Sequence, residues 1–216
     1  PYSQQILAFK DILQGARLDF GQLTFSSSLG LITLLKKVCN SPGLVGSDPY
    51  YKSHIKDTQS QDSYSRSLNS GKLKVLMTLL EGIRKGTKEK VVVVSNYTQT
   101  LDIIENLMNM AGMSHCRLDG SIPAKQRDSI VTSFNRNPAI FGFLLSAKSG
   151  GVGLNLVGAS RLILFDNDWN PSVDLQAMSR IHRDGQKKPC FIYRLVTTGC
   201  IDEKILQRQL MKNSLS

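Results

Sequence analysis

Apolar residues fall at helical spacing twice before residue 40. Ile6, Leu7, Phe9, Ile12 and Leu13 form one set, and Leu31, Leu34, Leu35 and Val38 the other. The second set ends at Asn40-Ser41-Pro42-Gly43, a strong helix stop. From 46 to 69 the chain is rich in Ser, Asp, Gln and Tyr and nearly free of aliphatics, which predicts a long loop or a disordered insert. Residues 72–84 read as an amphipathic helix, and 90–95 as a valine run apolar on both faces, as a buried parallel strand is. Further helices are expected over 99–111, 124–134, 172–183 and 202–211, and further strands over 115–118, 140–145, 161–165 and 190–196. Such alternation predicts an α/β domain with a mostly parallel sheet and helices on both faces, here preceded by helical segments. Ligands of these folds gather at the carboxyl ends of the strands. Polar clusters lie there: Ser95-Asn96-Tyr97, Asp119-Gly120, 146–155 and 166–170.

The chain has 216 residues, enough for one large domain or a domain with an appendage. No apolar run approaches the ~20 residues of a membrane span, so no membrane partner is expected. The chain opens on Pro1 with no signal-peptide pattern and is expected to be a piece of a longer protein. Lys and Arg total 27 against 17 Asp and Glu, a net charge of +10 that favours an anionic partner, nucleic acid before an acidic membrane surface. Many basic domains have no such partner, so charge only ranks the candidates. Cys39, Cys116, Cys190 and Cys200 form no C-x-x-C pair and have no His at metal spacing. They read as reduced, mostly buried thiols of an intracellular protein rather than zinc ligands.

The most informative stretch is 174–186, D-L-Q-A-M-S-R-I-H-R-D-G-Q. Arg180 and Arg183 stand three apart in a helix-forming run, which sends both guanidiniums off one face. Two rigid forks side by side suit a polyphosphate better than a carboxylate. Gly150, Gly151 and Gly153 let the backbone of 146–155 approach a ligand closely and present N–H groups to an anion. A tight turn would explain the same glycines. The loop is not a Walker A sequence, and neither is Ser70-Gly71-Lys72, which Leu73 follows. In 166–171, Asn170 can cap the next helix and Pro171 suits its first turn, which leaves Trp169 and two acids unexplained. Arg117 and Asp119 at a strand end admit a turn as readily as a function. His54, His115 and His182 have no carboxylate or Cys placed for a triad and read as packed or surface residues.

Taken in order, these segments closely resemble the second RecA-like lobe of the superfamily-two helicases, and within it the Swi/Snf family of double-stranded-DNA translocases. The carrying residues are V-V-V-V-S-N-Y-T-Q-T-L over 91–101, R-L-D-G-S over 117–121 with Arg127 and Phe134-Asn135, then 146–156, 166–171 and 176–186. They look like motifs four, four-a, five, five-a and six. The wording of 95–101 and 183–186 resembles the recombination-repair, Rad-fifty-four-like branch. The resemblance runs from about Ser26 to the C-terminus. It implies a helical inter-lobe linker over 1–45, a polar flexible insert over 46–70, a RecA-like helicase C-terminal lobe over 71–200 and a truncated brace helix over 201–216.

The resemblance also implies roles. Arg180 and Arg183 would be arginine fingers, with Gln176 lining the same interface. Gly153 and Asn155 would lie near the nucleotide ribose. Ser146, Lys148 and the Gly150-Gly151 turn would couple the ATP cleft to the DNA backbone, and Asn96, Arg117 and Lys148 would meet phosphates. Ala147 stands where many relatives carry Ser or Thr, so a hydroxyl contact made there falls to Ser146 or is absent. ATP and Mg would be held mainly by the first RecA-like lobe of the same chain. Double-stranded DNA and a strand-exchange recombinase are the implied partners, and the nucleus the implied location. These 216 residues hold no Walker A loop, and their Asp202-Glu203 pair opens a helix instead of following a strand. This segment alone is therefore expected neither to hydrolyse ATP nor to bind it tightly. The alternative is a catalytically inactive DNA- or recombinase-binding module. A Rossmann-type small-molecule enzyme would need a glycine fingerprint after the first strand, where Ser95-Asn96-Tyr97-Thr98 stands.

Overall fold

The valine run becomes the middle of a sheet. In the computed structural model, which describes residues 3–18, 25–45, 69–149 and 153–214, Lys90–Ser95 (β1) lies between Gly142–Ser146 (β3) and Ala159–Leu164 (β4). His115–Leu118 (β2) and Phe191–Arg194 (β5) form the edges, giving the order β2-β3-β1-β4-β5 with every pairing parallel. Val93 faces Leu144 on one side and Ile163 on the other. All four valines of β1 are buried, which is why the strand shows no polar alternation. The helices are α1 (Ser3–Leu18), α2 (Phe25–Asn40), α3 (Gly71–Gly86), α4 (Thr98–Met110), α5 (Ala124–Arg136), α6 (Pro171–Met178) and α7 (Ile201–Ser214), with a 3-10 turn at Pro42–Leu44. The chain divides into two compact units, Pro1–Val75 with Thr197–Lys204, and Leu76–Val196 with Ile205–Ser216. Most of the polar insert, 46–68, lies outside the described residues.

In the larger unit, successive side chains along each strand point to opposite faces. Val92, Val94, Phe143, Leu145, Leu162 and Leu164 meet Val131 and Phe134 of α5, Ala177 of α6 and Ile181. Phe134 and Phe143 stack edge to face, with centroids 5.0 Å apart. On the other face a Cβ at Gly142 would stand 2.6 Å from Met108 Cε, so α4 packs where that side chain is missing. Helices thus cover both faces, as the alternation predicts.

The connection from β3 to β4 is unlike the others. It crosses β1, yet its described residues 147–149 and 153–158 form turns instead of a helix. Leu156 plugs into the core in place of a helix face.

Several expected elements shift. The expected helix over 172–183 stops at Met178. Arg180 N–H donates to Ala177 O and Ile181 N–H to Met178 O, three-residue turns that take the chain out of the helix. The freed carbonyls of Arg180 and Ile181 accept Leu156 N–H and Gln186 Nε2–H, so the helix ends where the crossover needs its carbonyls. Arg180 and Arg183 therefore do not share a helical face. β3 and β4 also start two residues later and two earlier than expected, at 142 and 159.

In the smaller unit, Ala8 and Ile12 of α1 pack on Leu34, Leu35 and Val38 of α2 and on Val45. Ile6 and Leu7, read as core positions, are 40% and 58% exposed, and polar Gln5 takes the buried place. Gln5 Nε2 donates to Val38 O and Cys39 O, capping carbonyls that α2 leaves open at its end. A buried ion pair, Lys72 Nζ to Asp202 Oδ2 at 2.5 Å, lies in the same unit, and Lys72 also donates to Asn40 Oδ1.

Two glycines make opposite predictions. A Cβ at Gly158 would stand 2.8 Å from Asn135 Oδ1 and 2.9 Å from its Cα, whereas nothing lies within 4 Å of one at Gly82, exposed in α3. Gly158→Ala should destabilise by ~1–3 kcal/mol through overpacking, and Gly82→Ala should stabilise by ~0.5–1 kcal/mol through helix propensity. Urea unfolding midpoints that move the same way for both would contradict this geometry.

Candidate nucleotide and DNA site

The sheet's carboxyl edge carries a polar group built on Asp166, which is 1% exposed. Its Oδ1 accepts Asn96 N–H and Asn96 Nδ2–H, both at 2.8 Å, and its Oδ2 accepts Ser95 Oγ–H. Asn96, a candidate phosphate contact, is thus oriented by a neighbouring strand's carboxylate. Asn170 caps α6 by accepting Ser172 N–H at 3.1 Å, with Pro171 in its first turn, as its sequence position suggests. Asp174 on the same helix is buried, which raises its carboxyl above the usual range. It is satisfied by Gln209 Nε2 of α7 at 2.6 Å, and Gln209 also donates to Asp168 O.

Arg117, on β2, is surrounded by acids. Its Nη1 meets Asp102 at 2.7 Å and Glu105 at 2.6 Å, while Nη2 and Nε both meet Asp119 at 2.8 Å. Burial opposes its charge, but the three carboxylates outweigh burial and raise its pKa. That leaves no free fork for a bidentate phosphate. Asp119 is held below its usual range chiefly by the Ser121 hydroxyl, against burial, with help from Ser121 N–H and Arg117.

The crossover loop gathers most of the other candidates. Ser146 ends β3 and is buried, its carbonyl accepting Ser149 N–H. Lys148 is exposed on the next turn. Gly150 and Gly151 lie outside the described residues. Gly153, exposed, has φ +104, a conformation that favours glycine. Asn155 is exposed, and its Oδ1 accepts Val157 N–H. Two α5 side chains hold this loop. Arg127 Nη1 donates to Ser149 O at 3.2 Å, and Asn135 Nδ2 donates to Asn155 O at 2.8 Å while its Oδ1 accepts Gly158 N–H. A cleft of about 370 Å³ opens between α5 and residues 153–155.

Arg183 closes the same loop from the other side. It is exposed, and its Nη1 donates to Gly153 O at 3.3 Å and Leu154 O at 3.1 Å. Arg180 is 8% exposed; burial, and then the charge of Arg183, lower its pKa. A guanidinium so shifted still stays protonated near neutrality. Gln176 is exposed on α6. The structure therefore brings Arg183, Gly153 and Asn155 to one loop, with Arg180 tied to it through Leu156 N–H. Arg127, Asn135 and Gln186 shape this site; they belong to the motifs that carry the resemblance, which gives them no role of their own. Their signal is a long polar side chain near apolar Val131 and Phe134, or just after a glycine.

Residues 71–185 match the family model of the helicase conserved C-terminal domain. The chain belongs to that family. Over all its 216 residues this helicase C-terminal domain is 99% identical to the DNA repair and recombination protein RDH54 of Saccharomyces cerevisiae (strain RM11-1a), and spans 23% of it. It is 49% identical over 218 residues to the DNA repair and recombination protein RAD54B of Gallus gallus, covering 91% of this chain and 24% of that protein. To the RAD54-like protein of Drosophila grimshawi it is 47% identical over 210 residues, 92% of this chain and 26% of that one. The chain thus spans about a quarter of the length of these relatives. The crystal structure of the C-terminal part of the Fun30 ATPase domain is similar with a TM-score of 0.76 at 27% identity, covering 95% of this chain and 83% of that one. The RecA-like fold and the resemblance to the Rad-fifty-four-like branch of the Swi/Snf family hold.

The Asp119 cluster of this helicase domain makes a pH prediction. A carboxyl whose pKa is depressed by folding adds stability above its unfolded value, and that stability is lost as pH falls through the folded value. Asp119→Asn should cost ~1–3 kcal/mol near neutrality. The gap should narrow as pH drops below about 3.9, the unperturbed value. Denaturant midpoints from neutral to acid pH check this; a pH-independent gap would rule it out.

Proposed function

We propose that this chain is the second, arginine-bearing lobe of a double-stranded-DNA-dependent ATP hydrolase that translocates on DNA in recombination and repair. The reading divides it into linker 1–45, insert 46–70, motor lobe 71–200 and brace 201–216. The observation that carries it is the pairing of exposed Arg183 with buried Arg180 beside the 153–155 loop. Burial, and then the charge of Arg183, lower the pKa of Arg180, and two neighbouring guanidiniums suit a polyphosphate. That donor set fits ATP. No cluster of three or more His, Cys, Asp or Glu suits a metal among the described residues, so magnesium is assigned to the nucleotide and the other lobe.

ATP, when bound, supplies the phosphoanhydride that is cleaved. Arg183 would leave the carbonyls of Gly153 and Leu154 and, with Arg180, neutralise charge on the transferring phosphoryl group. Because the same carbonyls belong to the loop bearing Lys148, that exchange links the nucleotide to the DNA contact. Asn96 and Lys148 would meet the DNA backbone; Arg117, with its three acids, would brace β2 instead. The lobe alone is proposed to be inactive. The names of the relatives support action in recombination, hence a nuclear protein with a strand-exchange recombinase as partner.

In the full-length protein, Arg183→Ala should lower DNA-stimulated ATP hydrolysis by ~10³–10⁵-fold while leaving DNA affinity nearly intact. Steady-state hydrolysis with and without duplex decides it, and retained activity would remove the finger assignment. DNA binding should be sequence-tolerant and fall steeply with salt, as phosphate contacts do. A binding constant that barely moves between low and moderate salt would count against phosphate recognition.

A further inference from the structure

Gln186 has no part in the function proposed above, yet it ties three segments together. Its two Nε2–H donors serve Ala159 O at 2.8 Å and Ile181 O at 3.1 Å, with Val157 O a longer, shared contact at 3.4 Å, and its Oε1 accepts Lys188 N–H at 3.0 Å. Its own N–H donates to Arg183 O at 3.1 Å. One half-buried amide thus joins the turn bearing both arginines, the end of the crossover loop and the first residue of β4. Gly185, at φ +94, is the left-handed step that folds the side chain back onto those carbonyls.

We propose that Gln186 is a positioning residue for the arginine pair: its amide fixes the 179–186 turn against the crossover loop, so that Arg183 is presented at one place. The proposal rests on the finger assignment given above. The chemistry demanded is narrow. Two carbonyls, Ala159 O and Ile181 O, need donors and Lys188 N–H needs an acceptor, within one uncharged group. A primary amide on a long stem supplies both. Glu would set a carboxylate against three carbonyl oxygens. Met keeps the length and loses every bond.

The test uses Gln186→Met and Gln186→Glu in the full-length protein, beside Arg183→Ala. Both Gln186 variants should lose DNA-stimulated kcat by ~10²-fold, the cost of about 1 Å of misplacement, with KM for ATP and duplex affinity little changed and a fall in Tm that leaves the protein folded at the assay temperature. In an Arg183→Ala background, Gln186→Met should cost nothing further in residual hydrolysis, because it acts only through Arg183. Undiminished kcat in both Gln186 variants beside an inactive Arg183→Ala overturns the positioning role alone. A fall of Tm to the assay temperature, a parallel fall of DNA affinity, or a further multiplicative loss in the double variant overturns it as well. An Arg183→Ala protein as active as wild type overturns the finger assignment on which it stands.

Discussion

A parallel crossover without a helix constrains everything around it. A strand that returns beside a parallel neighbour must cross the sheet, and a helix normally does so while satisfying its own peptide groups. Between β3 and β4 the described residues do it as turns, so N–H and C=O groups face the protein with no ladder partner. Side chains take over. Arg127 and Asn135 approach from α5, Arg183 and Gln186 from the turn after α6. These bonds are exposed or half-buried, so each contributes about the 0.5–1.5 kcal/mol of an ordinary neutral hydrogen bond. The glycine at 158 belongs to the same constraint, because a Cβ there would stand where Asn135 must sit.

The two kinds of arginine in this chain show how surroundings decide chemistry. Arg117 meets three carboxylates, so its charge is spent inside the protein. Arg183 meets two backbone carbonyls among the described residues, partners that accept its protons but carry no net charge. Bonds to neutral acceptors are roughly half as strong as charge-assisted ones, so Arg183 keeps most of its attraction for an anion. Sequence position alone treats both as basic residues at motif positions.

What the sequence made legible follows from what periodicity encodes. The valine run at 91–94 has one reading in a parallel sheet, and β2 appears over 115–118 as expected. Asn170-Pro171 marks the start of α6 because capping is a local interaction. The end of that helix was not legible. Ile181 continues the apolar spacing, but its carbonyl bonds to a side chain five residues on, which itself reaches across to β4. Gln5 and Ile6 exchange expected places for a similar reason: two carbonyls at the end of α2 draw the amide inward. Both departures involve a hydrogen bond to a distant segment, Leu156 N–H at the end of α6 and the carbonyls of Val38 and Cys39 at Gln5, which no local pattern contains.

The same non-local bonding explains why the site residues divide as they do. Gly153, Asn155, Arg180 and Arg183 are drawn together because each lies in the crossover or bonds to it. Asn96 and Arg117 sit on the ends of β1 and β2 and are held by acids of their own neighbourhoods. On the proposed reading, a nucleotide that drew Arg183 away would leave the carbonyls of Gly153 and Leu154 without that donor. Neutral hydrogen bonds contribute only about 0.5–1.5 kcal/mol each, so the exchange lies within reach of a charge-assisted phosphate contact. Arg127, Asn135 and Gln186 make no such exchange, because they hold Ser149 O, Asn155 O and Ala159 O independently of Arg183.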